Sequence, residues 1–251
     1  MEFIKVEYLN GVATLSIDRP KALNAINTQV FHELAQALDE IAVSDAGCLI
    51  IRGGGTKAFV AGADIAEMSN MTPAEALEFS RLATAVFKKV ERFPLPTIAA
   101  VCGYALGGGC ELAMTCDIRI VSDTVVFAQP EAGLGITPGF GGTQRLPLLV
   151  GVSRAKEILF TGRKVKADEA LKIGLCSHIY PVDVLFYAAQ QMAEKIASNP
   201  PNAMRATKMA LNESFSSSLD AGLPAENLIF ASCFGKDEQI EKMKAFLNKG
   251  K

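Results

Sequence analysis

The chain has 251 residues, 49% hydrophobic and 21% charged, the balance of a globular protein with a sizeable core and not of a disordered one. Its 25 basic and 27 acidic side chains leave a net charge of −2, so there is no basic excess to hold a nucleic acid backbone. Met1 to Lys5 carry no apolar export segment, and the longest uncharged run, Phe93 to Cys110, contains Pro94, Pro96 and four glycines, which makes a poor membrane span.

The elements follow in chain order. Phe3 to Tyr8 and Val12 to Ile17 read as two strands, and Asn10-Gly11 between them is a strong hairpin signal. A helix is expected from Thr28 to Ala42, with Val30, Phe31, Leu34, Leu38 and Ile41 on one face. Cys48 to Ile51 reads as a short buried strand. A second helix runs from about Pro73 to Arg92, then a strand from Thr97 to Cys102, a glycine-rich turn, a short helix near Gly109 to Thr115 and a strand from Asp117 to Val121. Strands and helices alternate, which argues for an α/β fold. From about Val182 the pattern is helical only, with segments near 182–198, 201–215, 220–234 and 237–248. Leu211, Phe215, Leu219, Leu228, Ile229, Phe230 and Phe234 exceed what a lone peripheral helix pair hides, so an assembly role is expected there.

Six cysteines show no C-x-x-C pair, and His32 and His178, the two histidines, have no metal-ligand spacing to each other or to a cysteine. Buried thiols in a reducing cytoplasm are the expectation, with no metal site. Acid–base work then falls mainly to carboxylates. Gly107-Gly108-Gly109 stands before a helix and is either a tight turn or a place where a ligand meets unpaired backbone N–H groups. Glu111 is the first charge after 18 uncharged residues. It is either a favourable first-turn charge or a desolvated acid or base. Glu131, before another glycine-rich loop, is either a solvated turn residue or its partner; two such carboxylates at one pocket would divide into proton donor and acceptor. Asp64 and Glu67 are spaced like a capping box, while the Ala63 backbone N–H is free to serve a ligand oxygen.

Together these segments resemble the crotonase (enoyl-CoA hydratase/isomerase) superfamily over nearly the whole chain. The likeness is carried by Asp18 to Ala25, Ala58 to Ile65, Ile98 to Met114, Phe127 to Glu131 and Gly139 to Leu146. The resemblance implies an α/β spiral of ββα repeats over residues 1–181, and a helical region, 182–251, that builds trimers, commonly paired into hexamers. It implies oxyanion donors at the N–H groups of Ala63 and Gly108, and catalytic glutamates at Glu111 and Glu131. Coenzyme A contacts are implied at Lys21, Ala22, Leu23, Ala61, Asp64 and Ile65, with cross-subunit contacts from Phe246 and Lys249. Ala66 departs from the lysine that many relatives carry, and the C-terminal segment is shorter than usual.

Because both glutamate positions are filled, the branch that hydrates short-chain enoyl-CoA thioesters is favoured over the double-bond isomerases. No cofactor is implied beyond the coenzyme that the substrate carries. Paired carboxylates also serve glycoside hydrolases, but zero Trp and four Tyr leave few stacking platforms for sugars. Pro138 and Phe140 either narrow the acyl pocket or, for Phe140, fill the core. A short-chain preference is expected from the first alternative.

Overall fold

The computed structural model describes residues 1–213 and 218–248; Phe215 and Lys249 lie outside them. Strands β1 (Ile4–Leu9) and β2 (Val12–Ile17) form the expected antiparallel hairpin, with Asn10 and Gly11 both at positive φ, 51° and 74°. From β2 onward the larger sheet is parallel: β2 pairs with β3 (Cys48–Gly53), β3 with β5 (Thr97–Val101), β5 with β7 (Ile118–Ser122) and β7 with β10 (His178–Tyr180). A smaller sheet has the order β4 (Ala58–Val60), β6 (Tyr104–Leu106), β8 (Val126–Ala128) and β9 (Val165–Lys166), parallel except for the last pair.

From β3 to β8 the chain visits the two sheets alternately, and a helix follows each pair of strands. β3 and β4 lead to α2 (Ile65–Met68) and α3 (Pro73–Glu91), and β5 and β6 lead to α4 (Gly108–Thr115). β7 and β8 lead to α5 (Gly142–Val150) and α6 (Val152–Thr161). This is a ββα spiral, with α1 (Thr28–Ala42) before the first turn and α7 (Ala167–Lys172) before β10. The three-residue strands of the smaller sheet are too short to show a period of two. They exist because each finds a parallel neighbour, which only the folded chain supplies.

β3 and β5 read as continuous apolar runs because both of their faces are covered. Leu49, Ile51, Ala99 and Val101 join the main core, where α1 contributes Val30, Phe31, Leu34, Leu38 and Ile41. The alternate residues Cys48, Ile50, Ile98 and Ala100 face the other way and meet Leu185, Ala189 and Ala193 of α8 (Leu185–Ala197). Burial of each large apolar side chain contributes about 1.5–3 kcal/mol as an upper estimate.

The helices beyond residue 181 differ among themselves. α8 is a layer of the core. In α9 (Pro201–Glu213) the buried residue is Lys208, whose ammonium lies 2.7 Å from Asp117 and donates to the Leu95 carbonyl at 3.0 Å. α10 (Leu219–Ser232) and α11 (Asp237–Asn248) bury no residue, and Leu219, Leu228 and Phe246 are 76%, 74% and 79% exposed. Among the described residues no helix is long and apolar enough to cross a membrane.

Candidate active site

β4, β6 and β8 are parallel neighbours, so their C-terminal ends lie side by side. Ala61 to Ile65 leave the first, Gly107 to Glu111 the second and Glu131 the third. Residues far apart in sequence therefore converge at one sheet edge, where parallel α/β sheets place their ligands.

Ala63 is held by a parallel bridge to Ile26. The Ile26 N–H donates to Gly62 O and the Asp64 N–H donates to Ile26 O, both at 2.9 Å. In such a bridge the flanking groups make the bonds, and the N–H of Ala63 itself turns away from Ile26. Gly108 is the first residue of α4, so its N–H has no acceptor within the helix and carries the partial positive charge of the helix start. A β-carbon built on Gly108 would lie 3.6 Å from the Ala63 nitrogen and 3.0 Å from the Phe140 ring. The two backbones thus face each other across a gap that a side chain would fill.

Gly107 makes this junction possible. Its φ of 48° and ψ of −120° favour glycine, its N–H donates to Ala128 O at 2.9 Å, and a β-carbon there would stand 2.5 Å from Oε1 of Glu131.

Both glutamates are buried, Glu111 at 1% exposure and Glu131 at 8%. Oε1 of Glu111 accepts two backbone hydrogen bonds, from Phe140 N–H at 2.9 Å and Gly142 N–H at 2.7 Å. Burial pushes its carboxyl above the ordinary value, while those two bonds and the charge of Arg145 pull it back. Glu131 is pushed up to about 7, mainly by burial; its own backbone N–H opposes the rise and the charge of Glu111 adds to it. The Gln129 amide lies 3.1 Å from both Glu131 oxygens and, with its nitrogen turned toward them, donates to each. The opposite orientation would instead accept the proton of the neutral acid. The adjacent Cys110 thiol is pushed up to about 12 by burial and stays protonated.

The segments implied to hold coenzyme A also meet. Lys21 and Ala22 lie in a 3-10 turn, Pro20–Ala22, and the carbonyl of the next residue, Leu23, accepts from Ala61 N–H at 3.1 Å. Buried Asn24 ties this loop to β4 through Ala58 O at 2.8 Å. Lys21, Leu23 and Ile65 are exposed beside the site. Asp64 caps α2 through Ala66 N–H at 3.1 Å and pairs with Arg19 at 3.1 Å.

The capping box expected of Asp64 and Glu67 does not close. Glu67 accepts from Thr28 N–H instead, and Asp64 N–H is already bonded to Ile26. Phe246 is on α11 and is not among the residues these bonds bring together. The Phe140 ring packs into the core, as the second alternative expected: it is 5% exposed and meets Phe31, Phe79 and Phe87 edge to face at 5.6, 5.6 and 5.9 Å, with one ring edge toward Gly108. Sequence reasoning did not single out Gln129 or the loop N–H donors of Phe140 and Gly142. A backbone donor leaves no mark in residue type, and Gln129 could have been noticed only by its place two residues before Glu131.

Residues 7–251 match the enoyl-CoA hydratase/isomerase family. The chain is 47% identical over 241 residues to the short-chain-enoyl-CoA hydratase of Clostridium acetobutylicum, covering 96% of this chain and 92% of that one. It is 46% identical over 254 residues to the crotonyl-CoA hydratase of Syntrophomonas wolfei, covering 100% and 96%. The crystal structure of enoyl-CoA hydratase from Bacillus anthracis superposes with a TM-score of 0.95 at 37% identity, covering 98% of this chain and 96% of that one. The likeness spans nearly the full length of the chain in sequence and in fold, and the chain belongs to the enoyl-CoA hydratase/isomerase family.

Proposed function

We propose that this protein is a short-chain enoyl-CoA hydratase that adds water reversibly across the double bond of a trans-2-enoyl-CoA to give the 3-hydroxyacyl-CoA. The observation that carries the reading is the pair of buried glutamates, one raised to about 7, beside two backbone donors at the same sheet edge. The N–H groups of Ala63 and Gly108 hold the thioester carbonyl and stabilise its enolate-like charge, a contribution of about 3–4 kcal/mol per donor in comparable sites. Glu111, ionised, takes a proton from the attacking water, whose oxygen bonds to C3. Glu131, protonated, delivers its proton to C2. Addition leaves Glu111 protonated and Glu131 ionised, and exchange with solvent restores both.

Lys21, Ala22, Leu23, Ala61, Asp64 and Ile65 bind the coenzyme portion of the substrate, and no other cofactor takes part. Phe246 and Lys249 reach the coenzyme of a neighbouring subunit in a cytoplasmic homotrimer or dimer of trimers. The exposed apolar residues of α10 and α11 support that assembly. Loss of the ultraviolet absorbance of the conjugated crotonyl-CoA thioester on adding the protein tests the activity. Glu111→Ala should lower kcat by about a hundredfold or more while the protein still folds and binds a CoA thioester. No bleaching by the unmodified protein would refute the assignment.

A further inference from the structure

Glu111 is held by a loop that is itself held by α3. The Phe140 N–H that donates to Oε1 belongs to the same peptide unit as the Gly139 carbonyl, and that carbonyl accepts a 2.6 Å hydrogen bond from the Ser80 hydroxyl of α3. The Gly142 N–H belongs to the peptide of the Gly141 carbonyl, which accepts from the N–H groups of Gln144 and Arg145 in the first turn of α5. Between these peptides, the Phe140 carbonyl accepts from Arg145 Nη1 at 3.0 Å. Arg145 is clamped in turn to Glu91, at the far end of α3, by two bonds of 3.0 and 3.1 Å. α3 therefore grips the loop at two points, Ser80 directly and Glu91 through Arg145. Both N–H groups land on Oε1, and among the described residues Oε2 accepts no hydrogen bond.

We propose that Ser80 and Arg145, neither of which hydrogen-bonds to either catalytic glutamate, are positioning residues that orient and polarise the 139–142 loop so that it pins Oε1 of Glu111 and leaves Oε2 free for the attacking water. The inference rests on Glu111 acting as the base in the function proposed above. A hydroxyl donating to the far side of a peptide strengthens the N–H on the near side, so Ser80 acts on Glu111 through one intervening peptide. Arg145 adds a second influence, because its charge favours the ionised carboxylate. The charged or titratable groups around Glu111 are Arg145 from α5, Glu131 from the turn after β8 and Cys110 beside it in α4. Ser80 carries no charge, so its removal isolates the effect of the hydrogen bond.

The test compares Ser80→Ala, Ser80→Thr and Arg145→Gln with the unmodified protein in two measurements. The first is the pH profile of crotonyl-CoA hydration. Ser80→Ala should lower kcat about threefold to tenfold with KM unchanged. It should also move the acid limb of kcat upward by about half a pH unit. Ser80→Thr, which keeps the hydroxyl, should restore both. Arg145→Gln should shift the limb further in the same direction. The second measurement is an infrared titration of the carboxyl stretch of Glu111, assigned by its disappearance in Glu111→Gln, which needs no turnover. An unmoved Glu111 titration in both Ser80→Ala and Arg145→Gln would overturn the inference, even with hydration intact. Absent hydration with the titration shifted as expected would overturn the proposed function and leave the loop's hold on Glu111 standing. If Ser80→Ala is poorly folded by circular dichroism, the Thr and Gln variants carry the comparison.

Discussion

Replacing Glu131 with glutamine should make the protein more stable at alkaline pH and leave it nearly unchanged at acid pH. Glutamate ordinarily titrates near 4.5, and burial beside Glu111 pushes Glu131 up to about 7. The folded protein thus holds this proton more tightly than the unfolded chain does. Its stability is fully present below the unfolded value and is lost as the pH rises from 4.5 through 7. Each tenfold difference in proton affinity is worth about 1.4 kcal/mol, so above pH 7 the ionised Glu131 costs roughly 3 kcal/mol. Only 8% of the residue is exposed, so solvent screening removes little of that cost. Glutamine keeps the shape and hydrogen-bonding capacity and never ionises.

Thermal unfolding of Glu131→Gln and the unmodified protein at pH 5 and pH 8.5 checks this. At pH 8.5 the variant should melt about 6–12 °C higher, and at pH 5 the gap should shrink to about 1–4 °C. Hydration by the unmodified enzyme should decline above about pH 7 as Glu131 loses its proton, and the variant should lose about a hundredfold or more in kcat at every pH. An equal melting temperature at pH 8.5, or the same gain at both pH values, would refute the claim that Glu131 is a strained, desolvated acid.

Gly108→Pro should lower kcat by about 10²–10³-fold, since proline fits the first position of a helix but has no N–H to offer the thioester oxygen. Circular dichroism must accompany that assay because the Phe140 ring lies against the site; a folded, fully active variant would place the oxyanion elsewhere. Light scattering at micromolar concentration should report a trimer or a hexamer, and a stable monomer would leave the exposed Leu219, Leu228, Phe230 and Phe246 without a covering surface. kcat/KM should fall from four-carbon to ten-carbon substrates. Equal or better use of the ten-carbon thioester would end the short-chain assignment, and because Phe140 is a core residue, the boundary of the acyl pocket should be sought first near Met68 and Met71 beside α2.

Local chemistry was legible in the sequence wherever one segment decides its own conformation. Asn10-Gly11 announced the hairpin, the spacing of Val30, Phe31, Leu34, Leu38 and Ile41 announced α1 with its boundaries, and the alternation of strands and helices announced the α/β class. Glu111 stood out because a charge after a long uncharged run marks itself, whereas Glu131 alone read equally as a solvated turn residue and took its role from the family resemblance. The smaller sheet was not legible, because Ala58–Val60, Tyr104–Leu106 and Val126–Ala128 are strands only by pairing with one another. The C-terminal helices looked alike in sequence, yet α8 covers the sheet while α10 and α11 bury nothing, a difference set by what lies opposite each apolar face. The turning of Phe140 into the core, the diversion of Glu67 to Thr28 and the grip of Ser80 on the loop behind Glu111 were decided by tertiary structure alone. Backbone donors and long-range acceptors carry no signature in residue type, and which of them meet depends on where the spiral brings each strand end.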